Sequence, residues 1–303
     1  MNLVNEFEGN DSIQVELDKD LSKRSTLNLE ASGHLITIKN LEALIKVLST
    51  LNKYELNFRV LGLGANQVLP QNSDFPYIKL DFKYDKKLFE AVRPSYILPA
   101  SIPLNILTSQ AIKYELKGWE AFTGIPATLG GAISMNAGTR LGEIGNLIQK
   151  VKYVDRYGKL HEKNVTKEDF AYRKNNFLKN DDVIYEAEIT HLGVSPGIGK
   201  EIKDYLAYRN QTQPLNDKTC GCMFKNYEES GENNSSSCPA GKFLDIMGLK
   251  GFTIGGAQVS HVHANFLINK GGATKEDVQR LLHLVKSELA LQFGKEFELE
   301  VKL

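Results

Sequence analysis

Two glycine-bearing stretches hold the residues best suited to binding an anion. They are Gly62-Leu63-Gly64-Ala65-Asn66-Gln67 and the run from Gly124, Ile125, Pro126 and Thr128 through Gly130 and Gly131 to Asn136, Ala137 and Gly138. Glycine lacks a Cβ and tolerates φ > 0, so runs of this kind leave backbone N–H groups bare for an anionic ligand. For either stretch alone, a tightly packed turn is the bland alternative. The Gly-x-Gly start invites a dinucleotide-fold reading, which fails: Gln67 stands where the third glycine belongs, and Pro70 keeps a helix from starting. With no Walker Lys-Ser/Thr either, two such cradles in one chain point to a large diphosphate-bearing cofactor held by backbone, and FAD fits. Cys220, Cys222, Cys238, His261 and His263 make a zinc set on paper. Cys-x-Cys is poor spacing for structural zinc, so no metal is expected, and Cys220 and Cys238 read as buried thiols.

The elements that must position these groups alternate between helical and strand patterns. Asn40 caps a helix with Leu41, Leu44, Ile45, Leu48 and Leu51 on one face, and a strand Phe58–Leu61 runs into the first glycine turn. Strands follow near Tyr77–Leu80 and Tyr96–Pro99. Pro103 then opens a helix that turns Leu104, Leu107, Ala111 and Leu116 inward and ends near Gly118. Ile148–Asp155 alternates, the chain turns at Arg156–Lys159, and Val183–His191 is another strand. Ser195–Gly199 reads as a linker and Glu201–Arg209 as a short helix. The Glu, Asn and Ser of Glu228–Ser237 predict a mobile insertion. A long helix starts at Thr274 with Asp277 completing a capping box, and a final strand runs to Leu303.

A chain of 303 residues suggests about two domains, with room for three. Lys plus Arg and Asp plus Glu both number 37, so no net field draws nucleic acid or an anionic membrane. The first twenty residues have no basic segment followed by an apolar one, no run reaches membrane-spanning length, and an odd cysteine count fits a reducing cytoplasm.

A resemblance becomes specific once further motifs are read in order. After Leu61–Asn66 and Gly124–Gly138 come Tyr172-Arg173, Gly221-Cys222-Met223-Phe224-Lys225-Asn226, Gly248–Gly251, Val259–Phe266 and Glu300-Val301. In this order the chain resembles the UDP-N-acetylenolpyruvoylglucosamine reductase (MurB) family from about Ser25 to its end. The resemblance implies an α+β protein with an FAD-binding fold of the vanillyl-alcohol-oxidase type in two subdomains (1–80 and 81–195). A C-terminal α+β substrate-binding domain (196–303) would follow. It also implies a cytoplasmic enzyme of peptidoglycan precursor synthesis that takes hydride from NADPH and reduces the enolpyruvyl ether of UDP-N-acetylglucosamine to UDP-N-acetylmuramate. Bound FAD and a UDP-sugar substrate are the implied ligands. Oligomeric state is not legible, and a monomer is compatible.

The family's chemistry builds negative charge next to a carboxylate and then needs a proton. By resemblance, Arg173 meets the first need, since a guanidinium stays charged and forks onto carboxylates. Glu300 occupies the acidic position of the final strand, although alternation alone puts Glu296, Glu298 and Glu300 on one face and cannot choose among them. Cys222 stands where the family commonly has Ser, and a thiol of pKa about 8.5 is mostly protonated at neutral pH and able to donate. Tyr172, Arg209, Gln213, Lys225 and Asn226 are the implied substrate contacts; His263 and Asn265 read as structural. Leu63, Ala65 and Ala127 depart from the family pattern, and the extra Tyr-bearing loop of its longer form has no counterpart between Ile184 and Arg209. Another FAD-linked oxidase, or a non-catalytic flavin or UDP-sugar binder, stays open on sequence alone.

Overall fold

The computed structural model describes residues 3–229 and 236–303, which fall into two compact units. The first comprises residues up to Lys19, Gly33–Leu63 and Asp74–Ala207; the second comprises Asp20–Ser32, Gly64–Ser73 and Tyr208–Leu303.

In the first unit, a four-stranded sheet runs in the order Ile13–Asp20, Ser32–Ile38, Tyr77–Leu80, Arg59–Val60, with Tyr77–Leu80 parallel to both of its neighbours. Helix Leu41–Lys53 covers it. The Asn40 side chain accepts from the Ala43 N–H at 2.9 Å, and Leu44, Val47, Leu48 and Leu51 pack on Ile36, Ile38 and Ile78. Satisfying an orphan N–H at the first turn explains why asparagine marks this start. A second, antiparallel sheet orders Ser95–Pro99, Val183–Thr190, Ile148–Val154 and Leu160–Asn164. Its core includes Trp119, the single tryptophan of the chain, which is fully buried and donates from Nε1 to the Thr190 carbonyl at 2.8 Å.

The second unit holds a sheet of Thr219–Cys222, Phe266–Asn269, Ala257–Val259 and Thr253–Ile254, all antiparallel. Helix Lys275–Phe293 buries Val278, Leu281, Leu282, Val285 and Leu289 in the same core. Its capping box is formed as the sequence predicts. Asp277 N–H donates to Thr274 Oγ1 and Thr274 N–H to Asp277 Oδ2, both at 3.1 Å.

Several local expectations are corrected. The helix opened at Pro103 covers Leu104–Tyr114 and stops at Glu115 in the left-handed region (φ 53°), so Leu116 is buried but lies outside it. The stretch read as a linker is pinned at its start, where Ser195 N–H donates to Glu115 O at 2.9 Å. The helix after it is longer than expected, Ile198–Thr212. The final segment forms no regular strand. It makes two single bridges, Leu299 to Phe224 and Lys302 to Gln67, although Phe297 and Val301 turn inward as alternation predicts. Of the polar stretch Glu228–Ser237, its edges lie in an antiparallel ribbon of Tyr227–Glu229 with Ser236–Cys238, and 230–235 lie outside the described residues.

Candidate active site

Within the first unit, Gly62 at the start of the shorter glycine stretch adjoins Thr128 of the longer one. A Cβ placed on Gly62 would stand 3.0 Å from Thr128 Oγ1, and one on Gly131 would stand 3.3 Å from the same oxygen, so a side chain at either position would have to push the Thr128 hydroxyl aside. No backbone carbonyl among the described residues accepts from the N–H of Gly62 or Leu63. That cradle suits a diphosphate-bearing group.

The longer stretch is less bare than its composition predicts. Leu129 N–H donates to Ile102 O at 2.8 Å, Gly130 N–H to Ala100 O at 2.9 Å, and Gly131 N–H to Thr128 Oγ1 at 3.3 Å. Gly130 is glycine for packing, because its Cβ would lie 2.7 Å from that of Ala100. Ile125 and Ala127 N–H groups also turn inward, to Phe122 O and Ile125 O, and Pro126 is exposed. Helix Leu129–Ser134 uses these donors to seat itself on neighbouring backbone.

Tyr172 and Arg173 form the two-residue turn between Phe170–Ala171 and Lys174–Asn175. Arg173 takes a left-handed backbone (φ 52°), uncommon for a residue with a long side chain. Its Nη2 donates to Gly138 O at 3.0 Å, and the guanidinium carbon lies 5.1 Å from the Tyr172 ring centroid. The turn therefore rests on the end of the longer glycine stretch. Ala137, also named from the sequence, is buried beside it.

In the second unit, Cys222 ends the strand Thr219–Cys222 opposite Phe266, past a register shift. Gly221 supplies the positive φ of 83° there. A bulge re-aims the side chain that follows it. Cys222 is half-buried, whereas burial pushes the neighbouring Cys220 thiol up to about 12. The next residues are fixed by Asn265, which mimics a strand partner. Its backbone carbonyl accepts from Met223 N–H at 2.7 Å, its Oδ1 accepts from Phe224 N–H at 3.0 Å, and its Nδ2 donates to Phe224 O at 2.8 Å. His263 Nδ1 accepts from Asn265 N–H at 3.2 Å, and burial lowers the His263 pKa, so both residues serve the turn, as the sequence reading has them.

The C-terminal segment lies along this same backbone. Lys225 N–H donates to Glu298 O and Glu300 N–H to Met223 O, both at 2.9 Å, which brings Glu300 beside the Cys222–Met223 segment. The three alternating carboxylates are now distinct. Glu296 is exposed, Glu298 is exposed and ion-paired with Lys225 Nζ at 2.7 Å, and Glu300 is half-buried with its main chain clamped. Asn226 Oδ1 accepts from Ala240 N–H at 3.2 Å, and Arg209, nearly buried, donates from Nε to Gln213 Oε1 at 2.8 Å.

Gly64 and Ala65 also belong to this unit. Gly64 has φ 64°, and any Cβ there would run into Arg24 O. Asn66 Nδ2 donates to Glu300 O at 3.0 Å, and the Gln67–Lys302 bridge extends that contact. The sequence reading did not anticipate Asn66 as a partner of the C-terminal segment. Among the described residues no cluster of His, Cys, Asp and Glu is arranged for a metal ion, and no helix is long and apolar enough to cross a membrane.

Comparison with known proteins accords with this geometry. Residues 33–164 match the FAD binding domain family, so the fold and its bare glycine cradle define an FAD-binding flavoprotein. Residues 213–303 match the C-terminal domain of UDP-N-acetylenolpyruvoylglucosamine reductase. The chain is 30% identical to the enzyme of that name from Clostridioides difficile (strain 630), over 100% of this chain and 96% of that one. It is 32% identical to the one from Halalkalibacterium halodurans, over 96% and 94%. The crystal structure of the Thermus caldophilus reductase superposes with a TM-score of 0.75 at 28% identity, covering 96% of this chain and 98% of that one. The chain belongs to the UDP-N-acetylenolpyruvoylglucosamine reductase family.

Proposed function

We propose that this protein reduces the enolpyruvyl ether of UDP-N-acetylglucosamine to UDP-N-acetylmuramate in the cytoplasm, using FAD and NADPH, as a step of peptidoglycan precursor synthesis. The observation that carries the reading is the pairing of Glu300 N–H with Met223 O, which sets a carboxylate and the Cys222 thiol on adjoining backbone in the second unit. A carboxyl and a thiol together suit protonation of a carbon that has gained negative charge.

Bound FAD would supply hydride-carrier chemistry between NADPH and the substrate. Gly62 and Leu63 are the residues we assign to its diphosphate, with Gly64, Ala65, Asn66, Gln67, Gly124, Ile125, Pro126, Thr128, Gly130, Gly131 and Gly138 as further candidates. Arg173 binds the substrate carboxylate and offsets the charge that builds there. Cys222 delivers a proton from Sγ to the reacting carbon, and Glu300 hydrogen-bonds the developing enol. Tyr172, Lys225, Asn226, Arg209 and Gln213 hold the remainder of the substrate. For Lys225, a diphosphate must compete with Glu298. In this assignment 1–80 and 81–195 serve the flavin and 196–303 the substrate, with Tyr172 and Arg173 the substrate contacts supplied by 81–195.

The test is spectroscopic. Purified protein should be yellow, NADPH should bleach it anaerobically, and the enolpyruvyl substrate should restore the colour. Absence of flavin overturns the reading. Bleaching without restoration indicates a different FAD-linked oxidoreductase, and flavin that NADPH does not reduce indicates a binder without the activity.

A further inference from the structure

Asn136, in the run read as cofactor-binding, has a side chain wholly engaged by the protein. It is 1% exposed and sits in the left-handed region at φ 45°. An amide offers two N–H donors on one nitrogen and one acceptor oxygen. Here Nδ2 donates to Glu143 Oε2 and to Ala171 O, each at 2.9 Å, and Oδ1 accepts from Gly145 N–H at 3.0 Å. With acceptors around Nδ2 and a donor on Oδ1, the amide's orientation is set by its surroundings.

What these bonds join is informative. Ala171 immediately precedes the Tyr172–Arg173 turn, and Glu143 pairs with Gly138 across the small hairpin Gly138–Thr139 and Gly142–Glu143. Arg173 Nη2 in turn donates to Gly138 O. A closed circuit results: Asn136 to Ala171, through the turn to Arg173, to Gly138, across to Glu143, and back to Asn136. The packing leaves no slack, because a Cβ on Gly145 would lie 2.6 Å from Phe170 Cδ2 and 2.8 Å from Asn136 Oδ1. Two uncommon left-handed side-chain-bearing residues, Asn136 and Arg173, close this circuit, and strain of that kind persists where the surroundings over-determine it.

We propose that Asn136 is the positioning residue of Arg173, its amide locking the Tyr172–Arg173 turn onto the Gly138–Glu143 hairpin and so fixing where the guanidinium is presented. The proposal rests on the reading of Arg173 as the carboxylate-binding group. Asn136 acts through Arg173 and donates nothing to the cofactor.

The test uses the flavin-loaded enzyme with Asn136→Asp, which keeps the acceptor and the backbone tolerance but loses both donors. Asn136→Gly is the companion variant; it removes the amide without straining φ. Both should slow reoxidation by the enolpyruvyl substrate by roughly 10- to 100-fold, the scale of a misplaced group. Flavin content and bleaching by NADPH should be unchanged. Combined with Arg173→Ala, Asn136→Gly should add little, since the two act as one unit. Hydrogen exchange of the amides at 171–174 should accelerate in both variants. Normal reoxidation in Asn136→Asp, lost flavin with intact exchange protection, or effects that multiply with Arg173→Ala would each overturn the proposal. If Arg173→Ala alone reoxidises normally, the role given to Arg173 fails instead, and exchange at 171–174 still decides whether Asn136 holds the turn. Should both variants fail to fold, Glu143→Ala, which removes one of the three bonds, takes the same measurements.

Discussion

Asn66 Nδ2 donates to the Glu300 carbonyl oxygen at 3.0 Å, joining positions 234 residues apart in sequence. With Glu300 N–H on Met223 O, both main-chain polar groups of Glu300 are held, so its carboxyl moves only about its own side-chain torsions. Asn66→Ala should lower the unfolding free energy by about 1 kcal/mol, the usual net value of one hydrogen bond. It should also slow the substrate half-reaction relative to flavin reduction. Denaturant titration and stopped-flow absorbance check the two parts. An unchanged substrate half-reaction would contradict this account of the Asn66–Glu300 contact.

Cys222→Ala should slow substrate-driven reoxidation by roughly 10²- to 10⁴-fold, the usual contribution of a general acid, while NADPH still bleaches the flavin. Cys222→Ser should recover much of the loss, because a hydroxyl also carries a proton to donate. Rapid-mixing of reduced enzyme with substrate reads both. An unaffected alanine variant sinks the assignment.

Cys220, two residues away, should behave oppositely. Burial pushes its pKa from 9.0 to about 12, so the native thiol stays protonated and unreactive. Peptide mapping after alkylation at pH 9 should find Cys220 unlabelled until the protein is unfolded. The folded state binds this proton more tightly than the unfolded state does. Its contribution to stability is therefore complete below pH 9 and declines as pH rises toward about 12.

Gly64→Ala should destabilise by about 1–3 kcal/mol, since φ is positive there and the added methyl meets the Arg24 carbonyl and Ser25 Cα, which are backbone. Thermal unfolding measures it. Alanine at Gly9, which has nothing within 4 Å, is the control that isolates the cost of positive φ alone.

Legibility in the sequence followed the range of the interactions. Asn40 and the Thr274–Asp277 capping box announce their helices because the bonds close within three residues. Arg173 and Gly138 were each visible as motif residues, and the resemblance supplied their roles, but nothing in the spacing foretold that one would hydrogen-bond the other. The alternation at Phe297–Val301 correctly gave inward and outward faces, yet a strand also needs a continuous partner, and this segment has only single bridges to Phe224 and Gln67. Glycine content was the most ambiguous signal. Gly62 stays bare beside Thr128, whereas Gly64 and Gly130 are small because neighbouring protein atoms crowd them, and composition cannot tell those causes apart.

The buried indole of Trp119, wedged between Tyr96 and Phe122 at centroid distances of 5.1 and 5.6 Å, is the chain's one tryptophan and lies in the first unit. Emission excited at the red edge of the protein band therefore reports the melting of that unit alone, while far-ultraviolet dichroism sums both. Coincident curves would mean that the two units unfold as one cooperative body, and a gap between them would time the loss of the second unit separately.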